Sequence, residues 1–90
     1  MTPDFISGRF YLAYCLRMEN QYKAALHLFF DQLKEKPESA PTLFNIGSIL
    51  LSMDKPSEAL PYIEKAVEIQ PNKKAYIQKL ESLTKNNLTQ

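Results

Sequence analysis

The chain contains one cysteine, Cys15, and one histidine, His27, so a thiolate–imidazole pair is the first chemistry to consider. Such a pair requires the base within hydrogen-bond reach of the thiol. Cys15 instead falls in an apolar stripe with Leu12, Ala13 and Leu16, where a free cysteine behaves as a small hydrophobe. His27 stands alone, and one imidazole does not make a zinc site. The two glycines, Gly8 and Gly47, do not form a phosphate-cradling loop. Glu64/Glu68 and Lys65/Glu68 have the i,i+4 and i,i+3 spacing of a solvated helix face. No catalytic constellation results, no cofactor is implied, and the chain reads as a non-enzyme.

Composition narrows the remaining classes. Ninety residues make one small domain, and 44% hydrophobic with 23% charged residues is ordinary for a globular chain. A formal net charge of +1 gives no footprint for nucleic acid, which calls for clustered Lys and Arg. Apolar runs such as Ile49-Leu50-Leu51 are far short of the roughly 20 residues of a membrane-spanning helix. The N-terminus lacks the basic start and apolar stretch of a secretory signal. A single cysteine fits a reducing compartment, and a cytoplasmic location is expected.

Five helices position the side chains, near residues 3–19, 22–36, 39–53, 56–69 and 73–86. Thr2 suits an N-cap and Pro3 the first helical position. Asn20 and Asp54 stand where a left-handed residue would end the first and third helices. Pro37 and Pro71 stop the second and fourth, because the residue before a proline is pushed out of the helical region. Ser39 starts the third helix, with Pro41 in its first turn, and Asn72 opens the fifth. Pro61 is expected in or just after the first turn of the fourth helix, where a missing amide costs least. Residues 86–90 read as a frayed tail.

These signals recur every 34 residues. The shift from Pro37 to Pro71 also superimposes Phe10 on Phe44, Leu12 on Ile46, Ala13 on Gly47 and Leu16 on Leu50. It carries Ala25 onto Ala59, Leu26 onto Leu60 and Leu33 onto Val67. The second copy reads Leu43-x2-Ile46-Gly47-x2-Leu50, then Ala59-x3-Ile63-x2-Ala66, then Pro71. The first reads Arg9-x2-Leu12-Ala13-x2-Leu16, then Ala25-x3-Phe29, then Pro37. This pattern resembles the tetratricopeptide repeat. The resemblance implies an all-α superhelix of antiparallel helix pairs: repeat 1 about 6–39, repeat 2 about 40–73, a capping helix about 74–86 and a tail at 87–90. The stack is expected to be right-handed. Small Ala13, Gly47, Ala25 and Ala59 let paired helices approach, while Leu12, Leu16, Phe29, Ile46, Leu50 and Ile63 fill the space beside them.

In tetratricopeptide proteins the first helix of each pair lines a concave face, and the resemblance implies a partner protein or peptide held there. The positions on that face are Phe10, Tyr11, Tyr14 and Arg17, then Phe44, Asn45 and Ser48, then Gln78, Lys79 and Ser82. Aromatic rings supply contact area at low entropic cost, while amide and cationic groups fix backbone and carboxylates. Phe10 and Phe44 fit packing and binding equally. Some family members clamp a terminal carboxylate with five polar side chains. Asn45 and Lys79 match two of those places, but Phe10, Tyr14 and Ala75 occupy the other three, so no such clamp is expected. Gln32 and Glu35 replace Ala66 and Ile69, giving the second helix a more polar flank. Glu81 stands in the place of Gly47, which suits a terminal helix with a polar outer face. Phe5, Ile6, Leu28 and Phe30 are expected to form an uncovered first-hairpin surface through which a homodimer would assemble. A structural assembly subunit is therefore the alternative to a peptide-binding module.

Overall fold

Pre-proline geometry and two left-handed residues cut the chain into helices where the sequence places them. The computed structural model describes the backbone of residues 4–88 and the side chains of residues 11–84. Five helices run in order: α1 (Asp4–Met18), α2 (Tyr22–Glu35), α3 (Ala40–Ser52), α4 (Pro56–Ile69) and α5 (Lys74–Leu88). Thr2 and Pro3 lie outside the described residues. Among the described residues there is no strand.

The turns repeat as faithfully as the side chains. Asn20 and Asp54 have φ of 63° and 64°, the conformation Asn and Asp tolerate best after glycine. Around Asn20 the Gln21 amide donates to Leu16 O at 2.8 Å and the Asn20 amide to Arg17 O at 3.0 Å. Around Asp54 the Lys55 amide donates to Leu50 O at 2.8 Å and the Asp54 amide to Leu51 O at 2.9 Å. Both are Schellman caps, which satisfy carbonyls a helix end would leave without partners. Lys36 and Gln70, each preceding a proline, are extended with φ of −134° and −127° and stop α2 and α4. Ser39 accepts from the Thr42 amide at 3.4 Å and caps α3.

Two boundaries differ from the sequence expectation. Asn72 does not open α5: it sits in a turn closed by the Lys73 amide donating to Gln70 O at 3.3 Å, and the helix begins at Lys74. The helix then continues through Leu88, so residues 86–88 are helical where a frayed tail was expected.

The helices pair in sequence, α1 with α2 and α3 with α4, and α3 and α5 pack on the preceding hairpin. One buried cluster joins Ala13, Ala25 and Phe29 of the first pair to Ile46, Ile49, Leu50 and Ala59 of the second. Another gathers Ala40, Leu43, Ala66 and Tyr76. Leu33 and Tyr62 border both. Burying a side chain such as Phe29, Ile46, Ile49 or Ile63 is worth about 1.5–3 kcal/mol each. Gly47 sets the closest approach: an added Cβ would strike Ile63 Cδ1 and lie 2.7 Å from its Cγ1.

Several sequence expectations are corrected by the packing. Leu12 does not fill space beside the helix contact; it is 52% exposed, whereas Ile46, one repeat on, is fully buried. Ile46 belongs to the cluster between the two hairpins, and α1 has no described hairpin on its corresponding side. Phe30 is not simply uncovered surface, because its ring meets Tyr62 edge-on with centroids 6.0 Å apart. Leu28 is half-buried against the main cluster. The side chains of Phe5 and Ile6 lie outside the described residues. Gln32 is buried rather than part of a polar flank, and its Oε1 has no hydrogen-bond partner. Pro61, by contrast, lies just past the first turn of α4, as expected. It deprives the Ser57 carbonyl of its helical donor, but Ser57 is exposed and water can replace that bond.

Candidate functional site

Helices α1, α3 and α5 lie side by side, bridged by polar and aromatic contacts at the positions singled out in the sequence. Arg17 Nη1 of α1 donates to Asn45 Oδ1 of α3 at 2.7 Å. Asn45 Nδ2 donates to the Pro41 carbonyl at 2.8 Å, so both ends of the amide are engaged. The Arg17 guanidinium also stands 5.9 Å from the Tyr14 ring centroid. Phe44 of α3 packs against Tyr76 of α5 with centroids 4.5 Å apart, and Lys79 Nζ lies 6.0 Å from the Phe44 ring. Both cations are within the range where a ring face attracts positive charge.

An open cleft of about 310 Å³ is lined by Phe44, Ala75, Gln78, Lys79 and Ser82. It brings together four of the ten candidate residues: Phe44, Gln78, Lys79 and Ser82. Arg17 and Asn45 are joined at the α1–α3 seam. Tyr11 is 68% exposed and Tyr14 39% exposed, both available to a ligand. Phe10 lies on α1, but its side chain is outside the described residues. Asn45 and Ser48 do not stand open to solvent: both are buried, and Ser48 Oγ has no hydrogen-bond partner. Their side chains are short, and helices pack on both sides of α3. The floor between α1 and α5 is therefore closed by packing.

Two residues of this surface were missed in the sequence. Tyr76 is buried and forms the α5 side of the α3–α5 seam. Its signal was the 34-residue shift that aligns it with the buried Thr42. Burial raises the Tyr76 phenol above the ordinary tyrosine value. Lys73 Nζ stands 5.8 Å from the Tyr76 ring centroid, at the place Ser39 holds before α3. Met18 is 62% exposed and continues the line of Tyr11 and Tyr14 at i,i+3,i+7, a spacing present in the sequence.

The two reactive side chains do not converge. Cys15 is half-buried on α1. The His27 side chain is 79% exposed on α2, with Nε2 3.7 Å from Asp31 Oδ2. Among the described residues, no group of three or more His, Cys, Asp or Glu is placed to hold a metal ion, and no helix is long and apolar enough to cross a membrane.

Residues 40–73 match the tetratricopeptide repeat family. The chain is also similar in structure to YrrB, described as a tetratricopeptide protein with an unusual peptide-binding site: TM-score 0.80 and 25% identity over 84% of this chain. Residues 40–73 therefore carry a tetratricopeptide repeat, and the chain as a whole has a tetratricopeptide-like all-α fold. The same fold recurs in a mutant of MamA, with TM-score 0.78 and 18% identity over 94% of this chain. It recurs in a tetratricopeptide domain protein from Salinibacter ruber, with TM-score 0.70 and 19% identity over 99% of this chain. This chain spans 39% of the YrrB chain, 62% of the MamA chain and 89% of the Salinibacter chain.

Proposed function

We propose that this chain is a non-catalytic protein-interaction module that holds a peptide or helix of a partner protein against α1, α3 and α5. The observation that carries the proposal is the cleft at Phe44, Gln78, Lys79 and Ser82, across α3 from the exposed Tyr11 and Tyr14. Aromatic area on one side and amide, hydroxyl and ammonium groups on the other suit peptide recognition. YrrB, similar over most of this chain, carries a peptide-binding site, which favours the same use here. The domain organisation that goes with it is two repeats, about 6–39 and 40–73, closed by α5. Comparative pull-down tests the proposal. Tyr14→Ala and Lys79→Ala should each weaken capture of a partner that the unaltered chain retains, while Lys65→Ala on exposed α4 should not. Equal capture by all three variants would move the binding face elsewhere.

Assembly through the first hairpin is the alternative, and it rests on Leu12. Leu12 is half-exposed at the repeat position where Ile46 is fully buried. A second copy covering Leu12 would complete the packing. Phe30, engaged by Tyr62, is a poor probe of that interface. Sedimentation at micromolar concentration decides: a dimer abolished by Leu12→Glu supports assembly, and a monomer that does not change with dilution removes it.

A further inference from the structure

The wall of the groove formed by α1 has the pattern of a helix-docking seam. Tyr11, Tyr14 and Met18 follow one another at i,i+3,i+7 along one face of α1, and all three are exposed, at 68%, 39% and 62%. That spacing is one side of the apolar seam along which two helices pack. By the 34-residue shift, Tyr11 corresponds to Asn45 and Lys79, Tyr14 to Ser48 and Ser82, and Met18 to Ser52. The apolar stripe is thus confined to α1, while α3 and α5 present short polar side chains and a cation at the same positions. Arg17–Asn45 and Phe44–Tyr76 join α1 and α5 to α3 on either side, so the two helices border a trough over α3.

The chemistry of the trough selects its occupant. An extended peptide leaves its backbone N–H and C=O groups needing partners. The floor supplies none, because Asn45 is engaged by Arg17 and by the Pro41 carbonyl and Ser48 is buried, which leaves only Gln78, Lys79 and Ser82 along the α5 wall to meet such groups. A helix satisfies its own backbone and needs only an apolar seam. The charge is one-sided as well: Arg17 and Lys79 lie along the trough, and none of its described lining residues, Tyr11, Tyr14, Met18, Phe44, Asn45, Ser48, Ala75, Gln78 or Ser82, is acidic. Deepening the proposed interaction function, on which this step rests, we infer that the partner segment is an amphipathic α-helix. Its apolar stripe packs on Tyr11, Tyr14 and Met18, and its acidic flank faces Arg17 and Lys79.

A displayed library of random peptides, long enough for about four helical turns, selected against the whole chain tests both steps separately. The expected pool has apolar residues at i, i+3 or i+4, and i+7, with Asp or Glu on one flank. A selected peptide synthesised alone should bind about tenfold more weakly to Tyr14→Ala, to Met18→Ala and to Lys79→Glu. A proline placed in its middle should abolish binding. A library reselected on Lys79→Glu should turn from acidic to basic. Peptides that lose affinity on Tyr14→Ala yet tolerate a central proline, or carry no acidic bias, would overturn the acidic helix and leave the groove standing. Peptides indifferent to all three variants, or no enrichment at all, would overturn the groove as well.

Discussion

Asn45 does more for the fold than an amide on a binding surface would. Its Oδ1 accepts from Arg17 and its Nδ2 donates to the Pro41 carbonyl, tying α1 to the first turn of α3. Asn45→Ala removes both bonds and leaves a half-buried guanidinium without that acceptor. The expected loss is about 1–2 kcal/mol, measured by urea unfolding. Gly47 makes a sharper prediction. Alanine gains up to about 1 kcal/mol of helix preference, but its Cβ collides with Ile63, and overpacking costs about 1–3 kcal/mol. Gly47→Ala should therefore destabilise, and combined with Ile63→Val it should cost less than the two changes summed. Tyr76 adds a pH dependence. Burial holds its phenol above the ordinary value near 10.0, so the folded state favours the protonated form. The stability this gives is fully present below the unfolded value and is lost as pH rises through the folded one. Tyr76→Phe should flatten that alkaline decline in a pH series of unfolding midpoints.

Helix ends were more legible in the sequence than helix environments. Asn20, Asp54, Pro37 and Pro71 each act through backbone geometry that a residue type alone imposes, and all four end helices as expected. Burial depends on what packs beside an element, which the 34-residue shift cannot convey at the end of a stack. Leu12 therefore differs from Ile46 although both are aliphatic at the same phase. The same limit applied to the candidate site. Its positions lie on α1, α3 and α5, yet two on the middle helix, Asn45 and Ser48, are buried between neighbours where the repeat pattern leads one to expect open side chains. Tyr76 was passed over because an aromatic on a capping helix carries no local sign that Phe44 awaits it. Pro61 leaves the Ser57 carbonyl of α4 without its helical donor. Replacing it with alanine restores a donor to the Ser57 carbonyl, and α4 should gain about 1–2 kcal/mol after the entropy of the unfolded chain is set against it.

For the whole molecule, the two hairpins are one cooperative unit because Leu33 and Tyr62 border both buried clusters. Circular dichroism and tyrosine fluorescence should report a single unfolding transition. The central claim is that partners meet this chain across α1, α3 and α5 rather than on the outer helices. A photocrosslinking amino acid placed at single positions in the native cell tests that claim most directly. At Tyr14 and at Lys79 it should trap one and the same partner, and at Lys65 on exposed α4 it should trap none. Crosslinks at Lys65 with none at Tyr14 or Lys79 would contradict the account.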